Sequence, residues 1–398
     1  MRDQKTGHHF ETDAIRTQAE TSQHNEHAVP LFLTSSYIFD NAEEMRAAFA
    51  DETKRNIYSR FTNPNCSEFI EKLCGMEGAQ AGYAFATGMA AVFSTFAALL
   101  KSGDHILSCQ SIFGSTHTLL TKYFPRWNIA TTFAPISAPE SWSGLVQDNT
   151  RLIYVETPSN PGVDLVDLEW LGEFARNRGI LLVVDNCFAT PYLQRPIDYG
   201  ADLVIHSATK FIDGQGRVLG GATVGSSALI EEIYAFSRSA GPAMSPFNAW
   251  VLSKSLETLA VRMDRHCDNA LRVASFLEGH PEVLSVKYPF LPSHPQHKVA
   301  IKQMRAGGGV VSFRVRGGVK RGSKFLDHIK LCSLTANLGD SRSIVTHPAS
   351  TTHAKLSEDE RLAADITPGL IRVSVGLEHV EDIIADLKQA LDASRPMA

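Results

Sequence analysis

Lys210 is the residue in this chain best placed for covalent chemistry. It follows the apolar run Leu203, Val204, Ile205 and stands beside two hydroxyls, Ser207 and Thr209; Gly214 and Gly216 break the chain just beyond. An amine there can form an imine with a carbonyl compound, and the hydroxyls can bond a phosphate. In an open α/β sheet the carboxyl ends of strands are where ligands sit. Taken alone, a Ser-x-Thr-Lys run is more often an ordinary surface lysine.

Four other groups carry chemical potential. Asp185 ends the apolar run 180–184. It either caps the next turn or balances a cationic ring nitrogen, as a carboxylate at a strand end can. Thr87, Gly88 and Met89 form a turn into a helix, where free backbone N–H groups and the dipole favour an anion; a plain tight turn is the alternative. Tyr58 and Arg60 lie in a polar loop with an Asn-Pro step, and Arg60 can fork onto a phosphate or stay solvated. Arg372 interrupts the apolar run 370–375 and needs a partner, either a substrate carboxylate or a structural ion pair. Asn160 and Ser343, in loops, offer generic hydrogen bonding. His294 and His297 have ligand-like spacing, but no third ligand is near and Pro292 and Pro295 place them in a loop, so they read as structural.

The elements that must position these groups follow from apolar patterning. Strands are expected over 82–86, 105–109, 151–157, 180–185, 201–207 and 221–224, alternating with helices over 66–76, 89–100, 114–123 and 168–177. Continuous apolar runs such as Ile180–Val184 suit strands buried on both faces, so the class is α/β with a mostly parallel sheet. One long helix is expected over 246–278. Beyond it, strands over 283–288, 309–316 and 370–376 interleave with helices over 320–329 and 379–393, which reads as a smaller α+β C-terminal domain. The expected organisation is an N-terminal arm over 1–55 that packs on something else, a large domain over 56–255 and a small domain over 256–398. A short helix over 43–50, capped by Asn41, lies in the arm.

Composition narrows the function classes. The chain has 398 residues, 43% of them hydrophobic, and a formal net charge of −5. That supports a sizeable core but gives no basic surface for a nucleic acid. The start is polar, without the apolar core of a signal peptide. The uncharged run 78–100 is long enough for a membrane span, yet Gln80, Gly82, Thr87, Gly88, Ser94 and Thr95 interrupt it; strand, turn and helix explain it better. Six scattered cysteines suggest reduced thiols in the cytoplasm.

The motifs Tyr58-Ser-Arg60, Ala86-Thr-Gly-Met89, Glu156-Thr-Pro-Ser-Asn-Pro161, Val184-Asp-Asn186, Ser207-Ala-Thr-Lys210, His294-Pro-Gln-His297 and Arg372-Val-Ser-Val-Gly376 stand in order. Together the sequence resembles the cysteine/methionine-metabolism family of fold-type-I (aminotransferase-like) pyridoxal-phosphate enzymes over about 12–391. The resemblance implies pyridoxal 5'-phosphate as cofactor, Lys210 as its covalent anchor and proton carrier, and Asp185 as partner of the ring nitrogen. It implies Gly88, Met89, Ser207 and Thr209 as phosphate cradle, with Tyr58 and Arg60 reaching the phosphate of a neighbouring subunit. The expected assembly is therefore a dimer with shared sites, paired into a tetramer. Asn160, Ser343 and Arg372 resemble the group that holds the substrate α-carboxylate.

The family's ring-stacking tyrosine is replaced here by Phe113, which can stack but cannot take a proton. That argues against a lyase. The runs 253–258, 338–343 and 346–353 resemble sulfhydrylases. The implied reaction is γ-replacement on O-succinylhomoserine by sulfide, in methionine biosynthesis. Cysteine as nucleophile (a cystathionine γ-synthase), O-acetylhomoserine as donor, a γ-lyase, and a non-enzymatic binding protein on the same scaffold are the alternatives.

Overall fold

The computed structural model describes residues 8–352, 354–355, 357–363 and 366–395. Met1–Gly7 of the polar start and His353 of the 346–353 run lie outside the described residues. Seven strands form one sheet: β1 (Ala81–Phe85), β2 (His105–Cys109), β3 (Ala130–Ala134), β4 (Thr150–Glu156), β5 (Leu181–Asp185), β6 (Leu203–His206) and β7 (Gly221–Gly225). Their order is β1-β7-β6-β5-β4-β2-β3, and only β7 runs against its neighbours. The central strands are the apolar runs of the sequence; Leu152–Val155, Val183, Val184 and Leu203–Ile205 are fully buried, as strands covered on both faces must be.

A second sheet, β8 (Val283–Lys287), β9 (Val310–Val315), β10 (Ile344–Thr346) and β11 (Leu370–Ser374), has the order β10-β11-β9-β8 and is antiparallel throughout. Each sheet has its own apolar cluster. The change falls inside the helix Leu259–Glu278: Leu259, Met263 and Cys267 face the first, and Ala270, Val273 and Leu277 the second.

The run 78–100 is β1 followed by the helix Gly88–Leu99, whose Thr87 side chain accepts the Ala90 N–H. Among the described residues no helix is long and apolar enough to cross a membrane. The expected helix over 246–278 is instead two, Pro246–Leu256 and Leu259–Glu278. The buried Arg262 guanidinium accounts for the break. It donates to Ser255 O at 3.0 Å, and also to Phe211 O (2.6 Å) and Ile212 O (3.0 Å) just after Lys210. One cation thus joins the end of the first helix to the lysine turn, and Ser255 O also accepts the Thr258 N–H where the ladder breaks.

Other elements escape the apolar pattern. β3 is a half-exposed edge strand with Thr131 and Thr132 at its centre. The helix Ser227–Ala240 is capped by Ser226 and ended by Gly241 in the left-handed region, φ 82°. In the expected arm, Phe10–Arg16 is a helix whose Phe10 ring packs 5.2 Å from that of Tyr192. The stretch 114–123 is α-helical only over Gly114–Thr118 and continues as a π turn. The extended segment around 19–32 is held by polar groups of the helix Pro64–Glu77: Glu68 accepts Ala19 N–H at 3.0 Å and Asn65 accepts Phe32 N–H at 2.8 Å.

Candidate active site

The parallel pairing of β4, β5 and β6 brings Glu156, Asp185 and Ile205 side by side at their carboxyl ends. Asp185 thus lies on the floor of a site whose wall is the turn after β6. Its Oδ1 accepts the Cys187 N–H at 3.0 Å and its Oδ2 the Tyr154 hydroxyl at 3.2 Å. Burial raises the Asp185 carboxyl above the usual carboxylate range, against the pull of these donors and of His206. A cation brought against it would reverse that shift.

Lys210 is half-buried in the same wall. Its Nζ donates to Asn337 Oδ1 at 2.7 Å. Burial pulls its pKa below the ordinary value, and Arg372 adds to that pull. A lysine with a lowered pKa is better able to lose and regain a proton near neutrality.

The helix Gly88–Leu99 begins against Ser207, at the start of the same turn. A Cβ on Gly88 would lie 2.6 Å from the Ser207 Cβ, and one on Gly221 would lie 2.1 Å from Thr87 O. Only glycine permits this approach, which leaves a helix N-terminus open beside a hydroxyl. Thr209 is differently employed: its hydroxyl bonds both the N–H and the C=O of Gly220, at 3.1 and 3.3 Å. Met89 Sδ accepts the Thr116 hydroxyl at 3.6 Å.

Arg372 crosses from β11. Nη1 donates to Asn160 Oδ1 at 2.9 Å and Nη2 to Asn337 O at 3.0 Å, while Nε is buried without a partner. Burial brings this guanidinium down to about 10. Both acceptors are neutral, so the expected acidic partner is not among its hydrogen-bonded neighbours, and an anion would find a cation only partly satisfied.

Ser343 is not drawn into this group. Its hydroxyl donates to Glu378 Oε2 and accepts the Gly376 N–H, both at 2.9 Å, so it fastens the end of β11. Asn337, just before the 338–343 run, is what sequence reasoning missed: it touches both Lys210 and Arg372. Its nearness to that run was the available signal.

Phe113 is 44% exposed, unusual for a phenylalanine, and its N–H donates to Glu156 Oε2 at 2.8 Å. Tyr58 and Arg60 lie elsewhere. Arg60 stacks on the Phe61 ring at 4.7 Å, bonds Arg238 O, and lines a groove of about 1340 Å³ bordered by Ser59, Glu71, Tyr83 and Tyr234. None of the described contacts links it to Lys210. His294 is buried and bonded to Val163 O, and His297 to Pro289 O; no group of metal-ligand type clusters among the described residues.

An amine in the wall, a buried carboxylate on the floor, a glycine-opened helix start and a buried, partly satisfied arginine fit pyridoxal phosphate and an amino-acid substrate. This arrangement defines a fold-type-I pyridoxal-phosphate enzyme. The chain belongs to the Cys/Met metabolism PLP-dependent enzyme family, whose family model matches residues 11–392. It is 46% identical to an O-succinylhomoserine sulfhydrylase of Pseudomonas aeruginosa, over 96% of this chain and 95% of that one. It is 42% identical to an L-methionine gamma-lyase of Porphyromonas gingivalis, over 96% and 97%. A solved structure of a putative O-acetylhomoserine (thiol)-lyase from Campylobacter jejuni, which carries N'-pyridoxyl-lysine-5'-monophosphate, superimposes with TM-score 0.92 at 34% identity, over 97% and 100%.

Proposed function

We propose that this enzyme catalyses γ-replacement: O-succinylhomoserine and sulfide give homocysteine and succinate, a step of methionine biosynthesis. The observation that carries the reading is the pairing of a mobile-proton amine, Lys210, with an exposed ring that has no hydroxyl, Phe113. The similarity to O-succinylhomoserine sulfhydrylases supports the donor and the nucleophile.

Bound pyridoxal phosphate supplies an electron sink for the pair left at the substrate Cα. Lys210 would anchor it, Asp185 would balance its ring nitrogen, the helix start at Gly88 and Met89 with the Ser207 hydroxyl would receive its phosphate while Thr209, bonded to Gly220, holds the turn, and Phe113 would shield the site from water. Arg372 takes the substrate α-carboxylate, with Asn160 keeping the guanidinium in plane. Asn337 directs the freed Lys210 amine toward the substrate. Lys210 then removes the Cα proton and moves a Cβ proton. The Cγ–O bond breaks as succinate leaves, sulfide forms the Cγ–S bond, and Lys210 returns the protons. A single amine can serve these transfers because its pKa is already depressed.

The similarity to methionine γ-lyases supports a second reading, elimination without replacement. Steady-state comparison of sulfide and L-cysteine, each with O-succinylhomoserine and O-acetylhomoserine, and of L-methionine alone, separates the readings. The highest kcat/KM is expected for sulfide with O-succinylhomoserine. Preference for cysteine would make it a cystathionine γ-synthase, preference for the acetyl ester would change the donor, and efficient breakdown of methionine would favour the lyase.

The assembly proposed is a dimer with shared sites, two dimers forming a tetramer, in the cytoplasm. The six free cysteines fit a reducing compartment, and the groove that holds Arg60 apart from Lys210 fits a partner's site. Co-expressed Arg60→Ala and Lys210→Ala chains should form hybrids with one intact site and recover activity that neither homo-oligomer has. Verified hybrids without recovery would place Arg60 in its own subunit's chemistry or outside it.

A further inference from the structure

The His294-x-x-His297 pair is a motif for which the reaction above has no use. His294 is nonetheless buried, 3% exposed, against the loop that carries Asn160. Its Nδ1 accepts the Gln296 N–H at 3.1 Å. Burial lowers its pKa to about 4, so near neutral pH the ring carries a single N–H. That proton is therefore on Nε2, which donates to Val163 O at 3.1 Å.

The loop it touches is closed on itself. Ser159 N–H donates to Asp164 O at 2.9 Å and Val163 N–H to Ser159 O at 3.0 Å, while the Ser159 hydroxyl accepts the Asp164 N–H at 3.0 Å. Asn160 stands inside this ring, with its side chain accepting from Arg372. Val163 adopts φ 60°, in the left-handed region. A β-branched residue rarely adopts that conformation, which persists only where the surroundings hold it. The holders come from the C-terminal part of the chain. His294 takes the Val163 carbonyl, Lys287 at the end of β8 takes Asp164 Oδ1 at 2.8 Å, and the Ser312 hydroxyl on β9 takes the Pro161 carbonyl. Arg372 lies on β11 of the same sheet. Asn160 and Arg372, far apart in sequence, are thus placed against one framework, and the His294 bond is the one made at the strained residue.

We propose that His294 is a positioning residue: its bond to Val163 O holds the loop 159–164 in the form that sets Asn160 against Arg372, and so sets the affinity for the substrate α-carboxylate. This rests on the roles given above to Asn160 and Arg372, but not on which donor or nucleophile the enzyme uses.

The test is a double-mutant cycle on the holoenzyme. His294→Asn keeps an acceptor for the Gln296 N–H but is too short to reach Val163 O; His294→Gln places an amide N–H where Nε2 stands. The probe is L-norvaline, an amino acid without a leaving group, whose binding is followed by the visible absorbance of the bound cofactor. KM of the best donor substrate, Kd for pyridoxal phosphate and melting temperature are measured alongside. His294→Asn should weaken L-norvaline binding about tenfold and raise KM in parallel, while kcat and the cofactor Kd change little. His294→Gln should recover most of that loss. In the Asn160→Ala background His294→Asn should have little further effect, because the group it positions is gone. Equal factors in both backgrounds, unchanged L-norvaline binding and KM in a folded His294→Asn enzyme, or an equal loss of cofactor affinity would overturn the proposal; so would a fall in melting temperature alone, which marks a merely structural residue. If His294→Asn does not fold, His294→Phe, which keeps a ring in place but has no donor, is carried through the same cycle and judged by the same non-additivity. A non-additive cycle in an enzyme that prefers cysteine to sulfide would retain the inference and discard the substrate assignment.

Discussion

Lys210→Ala should leave a folded protein that binds pyridoxal phosphate without a covalent link and turns over more slowly by a factor on the order of 10⁴. The fold should survive because the lysine turn is held by its neighbours. Ala208, Phe211 and Ile212 are buried, and Arg262 bonds the carbonyls of Phe211 and Ile212. The loss is large because the described groups near Lys210 offer no ready replacement base: Asn337 is neutral, burial pushes the Cys187 thiol well up so that it stays protonated, Arg372 stays protonated, and Phe113 has no hydroxyl. Lys210→Arg should fail nearly as badly, since a guanidinium neither forms the imine nor gives up its proton. The measurements are kcat/KM, the visible spectrum, and borohydride reduction, which should fix the cofactor to the wild type and not to the variant. Turnover within about tenfold of wild type would require another base.

Asp185→Asn should cost nearly as much while changing the shape very little. A charge pair at contact in an effective dielectric of about 20 is worth roughly 4 kcal/mol, which is roughly three pKa units on the partner or a thousandfold in rate. The asparagine can still accept one of the two bonds, from Cys187 N–H or from the Tyr154 hydroxyl, so stability should change far less than activity. The pH dependence gives an independent check. In the apoenzyme burial raises the Asp185 pKa. Below that value the carboxyl is neutral and cannot balance a cationic ring nitrogen; above it the carboxylate can. Cofactor affinity of the wild-type apoenzyme should therefore fall as pH drops through the raised pKa, and Asp185→Asn should remove that limb. An unchanged pH profile would assign the limb to another group.

Much of the fold is legible in the chain because buried strands advertise themselves locally. Leu203–Ile205 and Ile180–Val184 are apolar on both faces, and a strand with water on neither side needs nothing else to be recognised. β3 and the helix Ser227–Ala240 are not legible in that way: one is an edge strand with threonines at its centre, the other a surface helix marked mainly by its caps. The break near Glu257 is invisible locally, since the residues there form helix readily; a guanidinium bonded to a turn some fifty residues earlier decides it.

The same division runs through the site. Lys210, Asp185 and Gly88 could be singled out from their own neighbourhoods, because each stands where a strand or turn ends and the chemistry of an amine, a carboxylate or a bare N–H is written in the residue type. Which polar groups meet is another matter. Arg372 reaches Asn160 across 212 residues and Lys210 reaches Asn337 across 127, and nothing short-range distinguishes Asn337 from Ser343, six residues on. Strand register settles that Glu156 stands beside Asp185, and the fold of the 338–343 run settles that Ser343 turns to Glu378 instead of Arg372. The sequence by itself determined the α/β framework and singled out Lys210 and Asp185, since burial and residue type are local properties. Only the tertiary structure decided the partners of Arg372, the acceptor for the Lys210 amine and the carboxyl that ties Phe113 down, because hydrogen bonds depend on distances of a few tenths of an ångström between segments the chain keeps far apart.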